Sequence, residues 1–217
     1  MSNHFKIDKE SADFIRLMSY YKCAMMEIET KFNVLNEELS LAHDRNPISA
    51  IKTRLKKPSS ICEKLERRGL EVSTQSMEEN LTDIAGVRVI CSFPEDVYTL
   101  ANALLQQDDV TLIVMKDYIA KPKENGYRSL HMIVEIPIFL AQQKRKMKVE
   151  IQLRTIAMDF WASLEHQLCY KKDNEFTKEM AKELYDCAEM SAALDLRMDK
   201  LRKNVVRMAA EKGQDTN

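Results

Sequence analysis

Two alternating segments carry most of the information about this fold: Lys121-Pro-Lys-Glu-Asn-Gly-Tyr-Arg-Ser-Leu-His131 and, further along the chain, Val149-Glu-Ile-Gln-Leu-Arg-Thr155. The first predicts a polar, basic loop with Gly126 at its tip, because a glycine there permits unusual backbone angles and the close approach of a ligand. The loop leads into an apolar strand at residues 132–136. Side chains alternate along a strand, so we expect Tyr127, Ser129 and His131 to share one face.

The second segment predicts a strand with one polar and one apolar face. Its polar residues are Lys148, Glu150, Gln152 and Arg154, and branched aliphatic residues alternate with them. An ordinary antiparallel pair with a solvated face would show the same alternation. However, aromatic, cationic and acidic groups are concentrated on the polar faces of both segments. This concentration favours a site for a nucleotide or phosphate ligand.

Charge is distributed unevenly along the 217 residues. The net charge is −1, although 31% of the residues are charged. Residues 52–68 carry net +5 and residues 116–154 again carry net +5, whereas residues 71–115 carry net −7. Two basic segments that converge in the fold would suit polyphosphate or nucleic acid, although charge runs are usually solvated faces. With 45% apolar residues, the chain suits one domain with helical additions, or at most two small domains.

The cysteines and the hydropathy indicate a reducing, aqueous environment. Five cysteines are scattered without a metal-binding or redox spacing, and we interpret them as free thiols. The N-terminus has no apolar signal-peptide core, and no apolar run approaches the roughly 18 residues that cross a membrane. We therefore expect a cytoplasmic protein with no membrane-spanning segment.

Helical periodicity dominates both ends of the chain. Apolar residues recur every three or four positions over residues 8–42, 94–107, 155–170 and 173–212. The last of these segments carries a heptad-like apolar stripe from Phe176 to Met208. Such a helix needs a partner, either the N-terminal helix or another subunit, and we expect a homo-oligomer.

Residues 58–68 form the clearest short helix of the sequence. Pro58 suits its first turn, and a glycine follows its end. A helix N-terminus attracts anions, so the basic residues around it make this segment either a phosphate-binding corner or an exposed basic helix. Strands are predicted at residues 87–93 and 110–114, whereas residues 48–55 could be a second helix or an extended connection.

Four motifs in order carry a family resemblance: Arg54-Leu-Lys-Lys-Pro-Ser-Ser-Ile, Asp83-Ile-Ala-Gly-Val-Arg88, Asp117-Tyr-Ile-Ala-Lys-Pro-Lys-Glu-Asn-Gly-Tyr-Arg-Ser-Leu-His131 and Val149-Glu-Ile-Gln-Leu-Arg-Thr155. Through them the chain resembles the small alarmone synthetases, and looks most like the RelQ type, across roughly residues 12–210. The resemblance does not include the hydrolase and regulatory domains of the long RelA/SpoT proteins. Four ordered motifs are far more specific than any single one.

The resemblance implies an α+β fold, with a nucleotidyltransferase-like mixed β-sheet of five strands flanked by helices and with long N- and C-terminal helices. It implies one synthetase domain, with an N-terminal helical region (8–45), a catalytic core (46–170) and a C-terminal oligomerisation helix (173–212). The implied activity is transfer of pyrophosphate from ATP to the ribose 3′-hydroxyl of GDP or GTP in the stringent response, giving ppGpp or pppGpp and AMP. The implied oligomer is a homotetramer.

The resemblance also implies roles for individual residues. Asp83 and Glu150 match carboxylates that bind Mg²⁺, and Glu150 is the candidate to take the proton from the 3′-hydroxyl, directly or through the metal. Tyr127 matches an aromatic residue that stacks on guanine. Arg54 and Arg88 match the two arginines that sandwich the adenine of ATP. Four further residues match positions that hold its phosphates: Lys56, Ser60, Lys64 and Arg67. The positions expected to contact the acceptor nucleotide or the migrating phosphates are Lys123, His131, Gln152 and Arg154.

Some positions depart from the RelQ pattern. Asp159 replaces an asparagine near the guanine, and its carboxylate could accept hydrogen bonds from guanine N1–H and the 2-amino group. The preference between GDP and GTP therefore stays open. The RelQ feedback site for pppGpp uses a phenylalanine where this chain has Ala50, and basic residues where it has Glu29 and Asn33. We therefore expect weak or absent activation by pppGpp.

Two other functions remain open from the sequence. A tRNA 3′-end pyrophosphotransferase would use related chemistry but would need more basic surface than the neutral C-terminal helix offers. A non-catalytic module for single-stranded RNA would use the same basic cleft. Asp83 and Glu150 argue against a simple binder, because two carboxylates add negative charge beside phosphates.

Overall fold

The computed structural model describes residues 11–43, 45–170 and 176–214, which form helices around a single sheet. In chain order the elements are α1 (Ala12–His43), β1 (Ile48–Leu55), α2 (Pro58–Arg67), α3 (Thr74–Asn80), β2 (Ala85–Cys91), α4 (Pro94–Leu105), β3 (Thr111–Asp117), β4 (Leu130–Phe139), β5 (Lys144–Thr155), α5 (Ile156–Tyr170) and α6 (Lys178–Gln214). The predicted α+β class, with its long terminal helices, is confirmed.

The five strands form one mixed sheet in the order β1-β2-β5-β4-β3. β2 and β5 run parallel, and the other neighbouring pairs are antiparallel. Residues 48–55, for which the sequence left helix and extended connection open, form the edge strand β1. Strand pairing decides this choice, because the hydrogen-bond partner of β1 is β2, which is distant in sequence and invisible to local periodicity.

One face of the sheet is apolar and carries the core. α1 and α4 pack on this face, where Ile28 and Phe32 of α1 and Leu100 of α4 are fully buried. The aliphatic residues that alternate along β5 are buried there as well. The predicted division of residues 148–154 into a polar and an apolar face is therefore confirmed.

The opposite face of the sheet is polar. Strand register places one row of polar side chains across all five strands: Lys52, Arg88, Gln152, His131 and Lys116. A second row, adjacent to the first, joins Arg54, Gly86 and Glu150. The register thus brings side chains from both basic segments onto one surface, although these segments are separated by an acidic one.

The C-terminal helix α6 packs on α5 and α4, with small and polar residues buried: Ala188, Asp195 and Asp199. Its predicted apolar stripe is instead largely exposed, and Met190 is 62% and Leu194 58% accessible. Of the two partners considered for the stripe, α1 uses its apolar residues on the sheet. The expectation that another subunit covers this stripe therefore stays a prediction.

The remaining sequence expectations concern the short helices, the cysteines and membrane crossing. α3 was not predicted; it begins after Ser73, whose side chain accepts a hydrogen bond from the Ser76 backbone. Residues 8–10 and 173–175 of the predicted terminal helices, and residue 44 of the predicted N-terminal helical region, lie outside the described residues. All five cysteines are free thiols, as expected. Among the described helices, none is both long and apolar enough to cross a membrane.

Candidate active site

Asp83, which directly precedes β2, is held between two lysines. Its Oδ2 accepts hydrogen bonds from Lys56 Nζ at 2.7 Å and Lys64 Nζ at 2.6 Å. Burial opposes ionisation of Asp83, but these hydrogen bonds outweigh it and hold the pKa of the carboxyl below its usual value. Within the described residues, Asp83 Oδ1 is buried and has no hydrogen-bond partner. This oxygen is therefore an unused ligand atom that faces no competing donor.

Glu150 provides the second carboxylate. Its backbone in β5 pairs with Gly86 of β2, close to Asp83 along the chain. Burial and the charge of Asp83 raise the pKa of Glu150, and a hydrogen bond from Gln152 Nε2 to Glu150 Oε2 (3.1 Å) opposes this rise only in part. Two carboxylates that disfavour each other's charge provide a good environment for a divalent cation.

The cleft beside these carboxylates is basic. It brings together six of the predicted site residues: Arg54, Lys56, Asp83, Arg88, Glu150 and Gln152. Gly86 lies between Arg54 and Glu150 in the sheet and has no side chain to cover them. The cleft therefore remains open above the row that carries the second carboxylate.

Asp159, in the first turn of α5, links three cations from different strands. Its Oδ2 accepts from Lys52 Nζ at 2.9 Å, and its Oδ1 accepts from Arg154 at 3.2 Å and Arg88 at 3.4 Å. Burial opposes ionisation, but the hydrogen bond from Lys52 and the charges of Arg88 and Arg154 lower the pKa of Asp159. Arg88, a strand arginine among apolar residues, thus has the polar partner that such a residue requires.

Tyr127 and His131 form a second group that Arg154 joins to the first. The Tyr127 hydroxyl accepts from Arg154 at 2.6 Å and lies 2.8 Å from His131 Nε2. Burial, followed by the charges of Arg154 and Lys123, lowers the pKa of His131 to about 4. The imidazole is therefore neutral near pH 7, and its Nε2 can accept a hydrogen bond from the Tyr127 hydroxyl. Lys123 Nζ lies over the rings of Tyr118 and Tyr127, 4.8 and 5.0 Å from their centroids.

We expect His131 to make the protein less stable as the pH falls. The folded pKa of about 4 lies below the unfolded value, so the unfolded state takes up a proton first as the pH drops between the two. Between about pH 7 and pH 5, the thermal midpoint of the wild type should therefore fall more than that of His131→Gln. Circular dichroism melts provide the measurement, with His166→Gln on α5 as a matched control. Equal falls in the wild type and His131→Gln would contradict a buried neutral imidazole.

Two predicted phosphate contacts remain outside this network. Ser60 and Arg67 lie on α2 at helical spacing from Lys64, so all three share one face of the helix. Lys64 reaches Asp83, whereas Arg67 is exposed. Ser60 and Arg67 thus share the helix face of Lys64, and their contact with phosphates stays a prediction.

Two expectations about the loop between β3 and β4 (residues 118–129, the β3–β4 loop) are corrected. Gly126 has the expected positive φ of 85°, but the element that approaches it is α6: a β-carbon there would lie 2.5 Å from Ala188 Cβ. Ser129 does not share the surface of Tyr127 and His131. Ser129 is fully buried, and its hydroxyl donates a hydrogen bond to the Leu153 carbonyl at 3.3 Å.

Sequence reasoning missed two residues of this surface. Lys52 was counted only within a basic segment, because the pattern of residues 48–55 did not establish a strand. As part of β1, it lies on the same face of the strand as Arg54 and reaches Asp159. Tyr118 was quoted within a motif without a role. Its ring packs edge-on against His131, with centroids 5.3 Å apart, and it supports the ammonium group of Lys123.

A basic sheet face with a carboxylate pair on one side and an arginine-bound tyrosine on the other is typical of a protein that binds nucleotides through their phosphates. Residues 53–175 match the family model described as a region found in RelA and SpoT proteins. The chain is 48% identical over 185 residues to the GTP pyrophosphokinase YwaC of Bacillus subtilis. This alignment covers 85% of the present chain and 88% of YwaC. It is 33% identical over 190 residues to the GTP pyrophosphokinase YjbM of the same organism, covering 88% and 89%.

Solved structures agree with these relatives. The crystal structure of small alarmone synthetase 2 from B. subtilis matches with a TM-score of 0.80 and 43% identity, covering 88% of this chain and 99% of that one. Small alarmone synthetase 1 from B. subtilis, bound to its product pppGpp, matches with a TM-score of 0.80 and 32% identity, covering 90% and 99%. The chain therefore belongs to the RelA/SpoT family, and within it to the small alarmone synthetases.

Proposed function

We propose that this protein is a cytoplasmic (p)ppGpp synthetase of the stringent response, which transfers pyrophosphate from ATP to the 3′-hydroxyl of GDP or GTP and releases AMP. The observation that carries the proposal is the pairing of Asp83 and Glu150 within a cleft that four cationic side chains also line. Relatives named GTP pyrophosphokinase support it, as does the solved relative bound to pppGpp. Five free thiols suit the reducing cytoplasm.

Mg²⁺ is the cofactor that this carboxylate pair fits. Magnesium is usually bound by one or two carboxylates together with substrate phosphates. Asp83 Oδ1 is buried without a partner, and Glu150 is destabilised by the Asp83 charge, so a cation would relieve both. When bound, Mg²⁺ would neutralise charge on the phosphate oxygens. The lysines that now hold Asp83 are placed to bind the same phosphates.

ATP binds in the cleft over β1 and β2. Arg54 and Arg88 stack on the adenine, because planar guanidinium groups can lie flat on a base. Lys56 and Lys64 hold the phosphates, with Ser60 and Arg67 on the same helix face as Lys64. The side chains of Lys56 and Lys64 are only 13% and 18% exposed, so their charges are little screened by solvent.

The acceptor nucleotide binds on the side of the β3–β4 loop, with its guanine stacked on Tyr127. Lys123, His131, Gln152 and Arg154 surround the position for its ribose and phosphates. Because His131 is neutral, it can accept or donate a hydrogen bond without adding charge.

Asp159 reads the guanine in a way that depends on ATP. A carboxylate has about four acceptor positions, and three cations already occupy three of them here. Guanine N1–H and the 2-amino group need two positions. The Arg88 contact is the longest, and stacking of Arg88 on adenine would release it. ATP binding would therefore prepare Asp159 to accept both guanine donors.

The reaction is an in-line transfer that depends mainly on positioning and charge. The 3′-oxygen attacks the β-phosphorus of ATP, the bond from that phosphorus to the α–β bridging oxygen breaks, and AMP leaves. Glu150 takes the proton of the 3′-hydroxyl, directly or through the metal. The cationic side chains stabilise charge that accumulates on the phosphate oxygens.

The protein assembles as a homotetramer through α6. Exposed apolar residues run along this helix, including Leu201, Val205 and Met208, each more than half accessible. Exposed apolar area of this kind commonly marks a protein interface. Light scattering during size exclusion should give four times the mass of the 25.2 kDa chain.

We expect added pppGpp to leave the initial rate of synthesis unchanged. Ala50 on β1 and Glu29 and Asn33 on α1 lack the aromatic and basic groups that the RelQ feedback site uses. Glu29 would repel a polyphosphate. Initial rates measured over a pppGpp titration provide the check. An increase that saturates with pppGpp would show that a feedback site exists despite these residues.

Label transfer from ATP tests the proposed function. The protein is incubated with ATP labelled on the β- and γ-phosphates, Mg²⁺ and, separately, GMP, GDP, GTP or tRNA. Label in a guanosine nucleotide is the expected result, and it also ranks the acceptors. Label only in tRNA would replace the proposal with tRNA 3′-end pyrophosphotransfer. Binding of single-stranded RNA without any transfer would favour the non-catalytic module.

A further inference from the structure

The β3–β4 loop rests directly on α6. Gly126 has no room for even one carbon, since a β-carbon there would lie 2.5 Å from Ala188 Cβ and 3.4 Å from the Tyr185 ring. The loop is also tied to itself, because the Gly126 backbone donates to the Lys123 carbonyl at 2.8 Å and the Lys123 backbone donates to the Tyr127 carbonyl at 3.1 Å. A shift of α6 at Ala188 would therefore move the whole turn.

Further contacts fasten the loop to α6 and α5. Arg128 donates to Glu189 of α6 at 2.8 Å and to the Gly126 carbonyl at 3.1 Å, so one side chain joins the helix to the loop tip. The Arg128 side chain is 14% exposed and that of Glu189 46%, so the pair joins a largely buried arginine to a carboxylate at the surface. Asn125 donates to Glu165 of α5 at 3.2 Å.

Tyr127 is part of the same contact. It packs against a small cluster formed by Trp161 and Ala162 of α5 with Ala188 of α6. Trp161 Nε1 donates to the Leu184 carbonyl at 2.9 Å, which fixes α5 to α6 beneath the loop. The Tyr127 ring, which is proposed to stack on guanine, thus packs against residues of both α5 and α6.

α6 lies outside the part of the chain that matches the family model, which ends at residue 175. We propose that Leu184, Ala188 and Glu189 of α6, named here the α6 seat, are positioning residues that set the acceptor-nucleotide site by holding the β3–β4 loop. This inference rests on the proposed function, because it assigns the acceptor to Tyr127. The ATP side of the cleft, built on β1, β2 and α2, makes no use of the α6 seat.

Ala188→Val tests the seat by adding two methyl groups where the loop backbone leaves no space. Since a misplacement of about 1 Å can cost a factor of 100, we expect kcat/KM for the guanosine acceptor to fall by about 10- to 100-fold. Affinity for a non-hydrolysable ATP analogue, measured by calorimetry, should stay unchanged. Ala181→Val is the matched control, because Ala181 lies two turns earlier on α6, near the same face, and is exposed.

Charge reversal tests the ion pair independently and keeps the proposal falsifiable if Ala188→Val does not fold. Arg128→Glu and Glu189→Arg should each lower acceptor kcat/KM, because each puts like charges together. The double variant, with the pair reversed, should recover much of the loss. A general loss of stability would lower the affinity for the ATP analogue as well, whereas the proposed effect is confined to the acceptor.

Trp161 reports on the seat without any turnover. It is the only tryptophan of the chain, and its ring packs in the cluster with Ala162 and Ala188. We expect GDP to change its fluorescence, and Ala188→Val, but not Ala181→Val, to shift its emission to longer wavelength as the cluster opens. If the wild type transfers no pyrophosphate, the proposed function fails. If it does, unchanged acceptor kcat/KM in Ala188→Val, an equal loss of ATP-analogue affinity, or no recovery in the reversed pair would each overturn the α6 seat.

Discussion

Glu150→Gln should reduce pyrophosphate transfer by about 100- to 10,000-fold, the range for loss of a general base. The substitution keeps the shape and the hydrogen bond with Gln152, but it removes the group that takes the 3′-hydroxyl proton. It also removes one of the two carboxylates that fit Mg²⁺. Folding should be little affected, because burial and the Asp83 charge already disfavour the ionised form of Glu150.

The measurement is the initial rate of label transfer from ATP to the preferred guanosine nucleotide at saturating substrates. Glu135→Gln is the matched control: Glu135 lies on the polar face of β4 and pairs with Lys146 at 3.0 Å, away from the cleft. The control should retain wild-type activity. If Glu150→Gln kept more than about a tenth of the rate, Glu150 would not be the base.

Asp83→Asn should lower the transfer rate by about 1,000-fold or more, because stabilisation of phosphate charge by a metal is worth several kcal/mol. The substitution removes one oxygen that Lys56 and Lys64 share, or replaces the free ligand atom Oδ1 by an amide. Raised Mg²⁺ should restore part of the activity of Asp83→Asn. It should restore less in Glu150→Gln, which lacks the base as well.

Asp83→Asn should also change the dependence of stability on pH. The folded pKa of Asp83 is lowered, so its charge stabilises the fold above the unfolded pKa of about 4 and this contribution is lost as the pH falls through the folded value. The variant should therefore melt below the wild type near neutral pH, and the difference should shrink below about pH 4.

Thermal melts across this pH range provide the measurement for Asp83. Asp109→Asn serves as the control, because Asp109 also pairs with a lysine, Lys31, but lies away from the cleft. A melting difference for Asp83→Asn that stays constant with pH would mean that the two lysines do not stabilise an ionised Asp83 in the folded protein.

Local pattern was sufficient to predict those features in which neighbouring residues define the signal. Alternation over residues 148–154 predicted which side of β5 is buried, since side-chain direction in a strand reverses at every residue. Apolar residues at every third or fourth position predicted the long terminal helices, because residues at that spacing share one face of a helix. The four motifs also indicated that Asp83, Glu150 and the cations of the cleft act together, because their order and spacing are specific to a family.

Only the tertiary structure determined which strands pair and which helix faces are buried. β1 became a strand only by pairing with β2, and that pairing brought Lys52 to Asp159 across the sheet. Gly126 was predicted to allow the close approach of a ligand, yet the element that lies against it is α6. The apolar stripe on α6 predicted a contact, but the helix buries a different face that includes Ala188, Asp195 and Asp199. A sequence records the chemistry of each face, whereas the partner of that face depends on chain segments whose distance in sequence leaves no local trace.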